Sequence, residues 1–208
     1  AYNELKNSYY SGDLHFNQKT KISDFYTDYL ALAKNNLKES TYDARDNAMR
    51  GSIIKEFGNY RLDQIKAIEV QRWMHSQLER GYSPATINQH LSFFKDLMNK
   101  AVDLDLIDSN KLSKVRPLKI PKEEMNVWTV DELDKFLSTF DLKNPKELMY
   151  YTLFTLLFYT GLRINEALAL TKSDISDVHI EVNKIIYMKF KNEWKLTTPK
   201  SKNSKRSV

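Results

Sequence analysis

The most informative absences in this chain of 208 residues concern cysteine, clustered histidine and long apolar runs. It contains no cysteine, which excludes a disulfide scaffold and a thiolate metal site and fits a reducing cytoplasm. Its 4 histidines do not cluster at ligand spacing, so we expect neither a metal nor another cofactor. The longest apolar run, within 148–162, is too short and interrupted to span a bilayer, and the polar start indicates no signal peptide.

The charge balance is mildly basic. Lys and Arg number 32 against 27 Asp and Glu, a formal net charge of +5, which favours polyanionic partners without identifying one. A hydrophobic share of 41% suffices for packed cores in one or two domains. The chain starts without methionine and stops in an unfinished strand pattern, so it reads as a fragment of a longer protein.

Apolar residues in the N-terminal half recur at helical spacing and predict four helices. Short joints between them predict a compact bundle over residues 20–107. The helices are expected over 22–33, from a Ser40–Asp43 capping box to Phe57, from Ala67 to Arg80 before Gly81, and from a Ser83–Pro84 cap onward.

Polar and basic residues on the outer positions of this bundle supply hydrogen-bond donors for phosphates and base edges. A solvated surface is the commoner role for any one of them, but together they predict nucleic-acid binding. The candidates are Thr41, Arg45, Lys55, Thr86, Asn88, Gln89 and Lys95.

Residues 108–124 contain two prolines among several basic residues and little helical period. Such a stretch predicts an extended connector between two domains. It is either a solubilising linker or a basic arm that follows a nucleic-acid backbone, with Lys119 as a contact.

The segment after the connector contains an apolar helix and an arginine. Asn144 and Pro145 are typical of a helix start, and Gly161 of a helix end. This helix has no polar face, so we expect it to be buried on every side. Arg163 follows the turn and requires an anionic partner, either Glu166 or an external anion such as phosphate. Local chemistry leaves both open.

The last residues predict strands. Residues 185–190 and 194–198 are β-prone, and a third strand is expected to begin at Arg206, which together predict a basic β-meander.

Three stretches resemble the tyrosine recombinase (phage integrase) family. Residues 160–170, TGLRINEALAL, are similar to its first arginine box, and residues 83–92 resemble the opening of the last helix of its core-binding domain. Residues 197–208 resemble integrases of conjugative transposons and temperate phages of low-GC bacteria.

The resemblance implies a fold that is mainly α with a small antiparallel β-sheet. It implies a helical core-binding bundle followed by a truncated α+β catalytic domain. The expected organisation is a polar lead-in over 1–19 (the tail of a preceding arm-binding domain), the core-binding domain over 20–107, the linker over 108–124 and the first part of the catalytic domain over 125–208.

The family's chemistry assigns roles to individual residues. Arg163 and Lys200 match the catalytic arginine and lysine, with Lys202 as the second candidate for the lysine, and Glu166 supports the site. Lys202 and Arg206 are expected to contact DNA. In the family a tyrosine attacks a DNA phosphodiester to form a 3′-phosphotyrosine, without a metal. The implied partners are double-stranded DNA at a recombination site, further copies that form a tetramer on DNA and an accessory excision factor. The implied place is the bacterial cytoplasm and nucleoid, with no membrane partner.

The family's later boxes, His-x-x-Arg, a further His or Trp and the tyrosine nucleophile, are missing from these residues. We therefore expect this polypeptide to bind DNA without cutting it. Two other classes stay open: a non-catalytic DNA-binding protein, and a helical adaptor that binds protein partners through the aromatic residues Tyr9, Tyr10, Tyr26 and Tyr29.

Overall fold

The computed structural model describes residues 6–8, 10–12, 19–33, 37–121, 124–190, 193–199 and 205–208. These residues are mainly helical with small antiparallel sheets, as the sequence predicts. They divide into two compact units, 1–123 and 124–208. Lys200 and Lys202 lie outside the described residues, as does Tyr9.

The first unit is a helical bundle around one apolar core. Phe57 lies at its centre, stacked on Phe94 with ring centroids 5.4 Å apart and edge-on to Trp73 at 6.1 Å. Its elements are α1 (Ile22–Ala33), α2 (Glu39–Ala48), a π-helical turn (Met49–Ile53), α3 (Ile54–Phe57), α4 (Ala67–Glu79), α5 (Pro84–Asp103) and a 3-10 turn (Lys111–Lys114).

Local capping signals place some of these helix ends correctly. Ser83 Oγ accepts a hydrogen bond from the Thr86 backbone N–H at 3.2 Å, and Gly81 has a φ of +85° after α4. The predicted Ser40 cap is wrong. The helix begins at Glu39, and the backbone N–H of Thr41 bonds to the carbonyl of Lys38, so Ser40 lies inside the first turn.

The connector packs against the bundle over much of its length. Leu112 and Val115 are buried in the bundle core. The Asn88 side chain donates to the Leu118 carbonyl at 2.8 Å and accepts from the Leu118 N–H at 2.7 Å, and Lys95 Nζ donates to the Val115 carbonyl at 2.7 Å. The expectation of little local structure overlooked these apolar residues, spaced three apart, which anchor the segment.

The second unit combines helices with two small antiparallel sheets, one pairing β2 with β3 and the other β1 with β4. The meander prediction is therefore wrong in one respect, because the strand at Arg206 pairs with β1 and not with β3. The elements are α6 (Val130–Leu137), α7 (Pro145–Thr160), α8 (Ile164–Ala167), a 3-10 turn (Lys172–Asp174), β1 (Glu181–Val182), β2 (Ile185–Phe190), β3 (Glu193–Thr197) and β4 (Arg206–Ser207).

Helix α7 is not buried on every side, contrary to the sequence prediction. No residue of α7 is fully buried, and Met149 and Tyr159 are more than half exposed. One part of the helix packs by Phe154 against Phe136 of α6, with ring centroids 5.1 Å apart. Apolar composition predicted the burial, but burial also requires a second layer, and the described residues of this unit cover α7 only in part.

Candidate functional site

The turn between α7 and α8 fixes the position of Arg163. Gly161 adopts the left-handed conformation, with φ +63° and ψ +20°, and its N–H bonds to the Leu157 carbonyl at 3.0 Å. A residue with a Cβ is strained in this conformation, so glycine ends α7 at low cost. Leu162 is buried directly after the turn, and Arg163 then precedes the first turn of α8 in extended conformation.

Glu166 is a buried carboxylate with four hydrogen-bond donors around it. Its Oε2 accepts from the Arg163 backbone N–H at 2.9 Å, and its Oε1 accepts from Arg163 Nη1 at 3.0 Å. Arg206 supplies the other two donors, Nη2 to Oε2 at 2.9 Å and Nη1 to Oε1 at 3.3 Å. A buried carboxylate is stable when it is paired and hydrogen-bonded in this way.

The three side chains differ sharply in exposure. Glu166 is 2% exposed and Arg206 30%, whereas Arg163 is 74% exposed. The hydrogen bonds from Arg206, and next those from Arg163, lower the pKa of Glu166 to about 2 against the opposing effect of burial. The group therefore holds two arginines against one carboxylate, a net charge of +1, and Arg163 is the more exposed of the two arginines.

A second ion pair stabilises the turn that leads from α8 to the sheets. Asp174 accepts from Lys184 Nζ at 2.7 Å and from the Thr171 backbone N–H at 2.7 Å. The hydrogen bond from Lys184 is the main cause that lowers the pKa of Asp174 to about 2. The described residues contain no group of three or more His, Cys, Asp or Glu that could hold a metal ion.

The polar residues predicted on the bundle fall into two groups. Side chains of the first group are exposed, and they are Thr41, Lys55, Gln89 and, in the connector, Lys119. Side chains of the second group have partners within the fold, and they are Arg45, Thr86, Asn88 and Lys95.

Arg45 is an example of this second group, whose side chains bind other residues of the fold. Its Nη1 donates to the Tyr29 hydroxyl at 3.0 Å and lies 3.1 Å from Asp96 Oδ2. Its guanidinium also lies over the Phe93 ring, 5.2 Å from the centroid. Arg45 therefore links α1, α2 and α5 inside the bundle, and its role as a DNA contact stays a prediction.

Sequence reasoning missed a basic cleft between α4 and the connector. The cleft has a volume of about 320 Å³ and includes Arg72, His75 and Arg116 in its lining. The i, i+3 spacing of Arg72 and His75 on α4 was visible in the sequence, but the position of Arg116 depends on how the connector packs.

Comparison with known proteins shows which proteins this chain is similar to. Residues 21–78 match the phage integrase N-terminal SAM-like domain. The ICEBs1 integrase of Bacillus subtilis (strain 168) is 28% identical over 182 residues, covering 86% of this chain and 48% of the relative. A tyrosine recombinase of Thermosipho africanus (strain TCF52B) is 26% identical over 161 residues, covering 75% of this chain and 55% of the relative.

The chain is similar to integrases and tyrosine recombinases over most of its length. Among solved structures, the Tn1549 transposon integrase in complex with transposon right end DNA shares its fold, with a TM-score of 0.75 and 24% identity over 90% of this chain and 60% of that one. A lambda integrase tetramer bound to a Holliday junction gives a TM-score of 0.69 and 17% identity, over 87% of this chain and 51% of that one.

The chain spans about half the length of the curated relatives it matches. Within the described residues, no helix is both long enough and apolar enough to cross a membrane. Three of the predicted site residues lie together: Arg163, Glu166 and Arg206, which is forty positions beyond Glu166 in the sequence. The predicted catalytic Lys200, and Lys202, lie outside the described residues.

Proposed function

We propose that this chain is the DNA-binding and first catalytic portion of a site-specific recombinase that cuts and rejoins duplex DNA through a 3′-phosphotyrosine. The supporting observation is the exposed guanidinium of Arg163, held beside a buried Glu166 that a second arginine also pairs. In this proposal residues 20–107 are the core-binding domain, 108–124 the linker and 125–208 the first part of the catalytic domain.

Arg163 is suited to stabilise the phosphate under attack. Negative charge builds on the non-bridging phosphate oxygens as the nucleophile enters, and a planar guanidinium can bind two of them at once. A donor that binds the transition state more strongly than the ground state raises the rate, and its removal costs about 10²–10³ in rate. Glu166 orients Arg163 by accepting hydrogen bonds from the backbone N–H and the side chain of Arg163.

Lys200 is proposed to protonate the leaving 5′-oxygen. A lysine can act as a general acid where neighbouring positive charge lowers its pKa. Lys200 follows Pro199 and precedes β4, the strand that carries Arg206. The nearness of Lys200 to Arg206 in the sequence supports this role. Lys202 is proposed to contact DNA from the same segment.

The bundle is proposed to bind the DNA backbone through its exposed residues. Lys55 and Lys119 carry the charge for phosphate contacts, while Thr41 and Gln89 add neutral donors. Arg45, Asn88 and Lys95 hold the bundle and connector together. We assign these three a structural role first.

The nucleophilic tyrosine is proposed to lie in a segment beyond the part that matches the relatives. The 208 residues contain no His-x-x-Arg pattern, and the relatives are about twice as long as the matched region. The relatives named as integrases support integration or excision of a mobile element. The lambda integrase tetramer on a Holliday junction supports assembly of four copies on DNA, with an accessory excision factor as a further proposed partner.

A salt titration of duplex binding tests this proposal. The 208-residue chain should bind a short fluorescent duplex at low salt and lose affinity about a hundredfold or more between about 50 and 200 mM salt. Arg163→Gln should weaken binding roughly tenfold, since charge-assisted hydrogen bonds are lost. The affinity of Arg163→Lys should lie between those of the parent chain and Arg163→Gln, because lysine keeps the positive charge but lacks the planar guanidinium.

Lys143→Gln is the matched control, because it removes one exposed positive charge just before α7. It should change affinity by about twofold at most, as expected for a surface charge remote from the contact. A chain that ignores duplex DNA at low salt would contradict the proposal and favour the helical adaptor. Equal effects of Arg163→Gln and Lys143→Gln would refute the role of Arg163.

A further inference from the structure

The side chain of Arg206 contacts Glu166 more extensively than the side chain of Arg163 does. Two of its guanidinium nitrogens each donate to a different oxygen of the carboxylate, at 2.9 Å and 3.3 Å. The Arg163 side chain reaches only one of these oxygens, through a single nitrogen at 3.0 Å. Fork-on-carboxylate pairing is the stronger and more directional arrangement of the two.

The fold holds Arg206 in place through backbone pairing. Arg206 lies opposite Val182 in the β1–β4 sheet, and Val182 is buried. The antiparallel pairing continues beyond these strands, where the backbones of Ile180 and Val208 exchange two hydrogen bonds at 2.7 Å and 3.0 Å. The Arg206 side chain therefore extends from a fixed strand to Glu166, which lies in α8.

Arg206 also changes the charge that Arg163 experiences. Glu166 alone would neutralise Arg163 and hold its guanidinium, because a buried carboxylate requires a charged hydrogen-bond partner. With Arg206 present the three side chains carry a net charge of +1. Arg163 is the more exposed of the two arginines, at 74% against 30% for Arg206.

We propose that Arg206 is a positioning residue, which holds and neutralises Glu166 so that Arg163 presents its guanidinium to a DNA phosphate. This inference rests on the proposed function and replaces the sequence prediction that Arg206 contacts DNA directly. Without Arg206, the whole charge of Glu166 acts on Arg163. The guanidinium of Arg163 then turns toward the carboxylate and is less available to phosphate.

The first test uses the free chain and nuclear magnetic resonance. In Arg206→Gln, the pKa of Glu166, followed through its side-chain carbon, should rise by about one pH unit or more. Rotation of the Arg163 guanidinium about its Cζ–Nε bond should become slower, because Glu166 now binds it at both oxygens. Arg206→Lys should give intermediate values, and retained backbone amide shifts at Val182 will show that the β1–β4 pair is intact.

The second test is a double-mutant cycle on affinity for a short DNA duplex. Arg163→Gln and Arg206→Gln should each weaken binding roughly tenfold, and the double variant should be within about twofold of either single one. Lys205→Gln is the matched control, because it removes an exposed charge one position from Arg206. It should weaken binding by about twofold at most.

Outcomes of the two tests separate the positioning role from the proposed function. The positioning role is wrong if the affinity losses of Arg163→Gln and Arg206→Gln multiply in the double variant. It is also wrong if Arg206→Gln weakens binding no more than Lys205→Gln does. Unchanged rotation of Arg163 in Arg206→Gln overturns it as well. If the parent chain binds no duplex, the proposed function fails, and the rotation and pKa measurements still decide whether Arg206 controls Arg163.

Discussion

Glu166 is the side chain through which the two arginines of the second unit meet. It is almost fully buried, and each of its oxygens accepts two hydrogen bonds. An ionised group in such a place stabilises the folded state only while it stays ionised and paired. Its pKa, lowered to about 2 mainly by the hydrogen bonds from Arg206, makes that dependence measurable.

Acid should destabilise the second unit through Glu166. Its pKa falls from 4.5 in the unfolded chain to about 2 in the fold, so the unfolded state binds more protons between these values. The stabilisation is fully present above about pH 4.5 and is lost as the pH falls toward 2. Between pH 6 and pH 3 the free energy of unfolding should drop by about 2 kcal/mol from this group.

Urea unfolding at the two pH values, followed by the amide signals of Glu166 and Val182, checks this prediction. Glu166→Gln is the control, since an amide does not titrate. The variant should lose most of this difference and keep the smaller part that Asp174 contributes, whose pKa is also lowered. An unchanged pH dependence in Glu166→Gln would show that other groups cause it.

Of the two arginine contacts with Glu166, the sequence could predict one. Arg163 and Glu166 are three positions apart at the start of a helix, so local geometry makes their contact a strong expectation. Arg206 lies forty positions beyond Glu166 and reaches it only because β4 pairs with β1. Two-residue strands leave no periodic signal in the sequence, so the sequence could not predict that Arg206 contacts Glu166.

At the scale of elements, the connector shows how a few side chains hold an irregular segment. The Asn88 side chain bonds to both backbone groups of Leu118, as a neighbouring strand would. Lys95 binds the Val115 carbonyl, and Val115 is buried in the bundle core. Residues 110–118 therefore belong to the first unit, although their proline and lysine content predicts an extended linker.

Removing the Asn88 amide should release part of the connector. Asn88→Ala leaves the Leu118 N–H and carbonyl without partners, which should cost about 1–3 kcal/mol locally. Hydrogen exchange of the Leu118 amide should become faster by about tenfold or more. Gln89→Ala, an exposed neighbour on the same helix, should leave this rate unchanged. Equal protection of Leu118 in Asn88→Ala and the parent would refute this account of the connector.

The ends of α7 were predictable from the sequence, and its burial was not. Asn144, Pro145 and Gly161 bound α7 where the sequence places its ends, because caps act within one turn. Whether an apolar face is covered depends on residues far away in the chain. Helix α7 has the composition of a buried helix and yet exposes more than half of Met149 and Tyr159.

At the scale of the whole molecule, the chain combines a helical bundle with a second, α+β unit. Relatives named as integrases or tyrosine recombinases align with 75–86% of the chain, and solved integrases share its fold. The likeness to tyrosine recombinases could be predicted from short local patterns, because the arginine box is contiguous in sequence. Which basic residues are exposed could not, since Arg45 and Lys95 became internal contacts only through tertiary packing.

The proposed function requires Arg163 to bind a phosphate of duplex DNA. The most direct test is the ¹H–¹⁵N signal of the Arg163 guanidinium, recorded while a short duplex is added to the chain. We expect this signal to shift and the rotation of the Arg163 guanidinium to slow in step with binding, while the signals of Arg206 change little. If a duplex binds the bundle and leaves the Arg163 signal unchanged, Arg163 does not bind the phosphate.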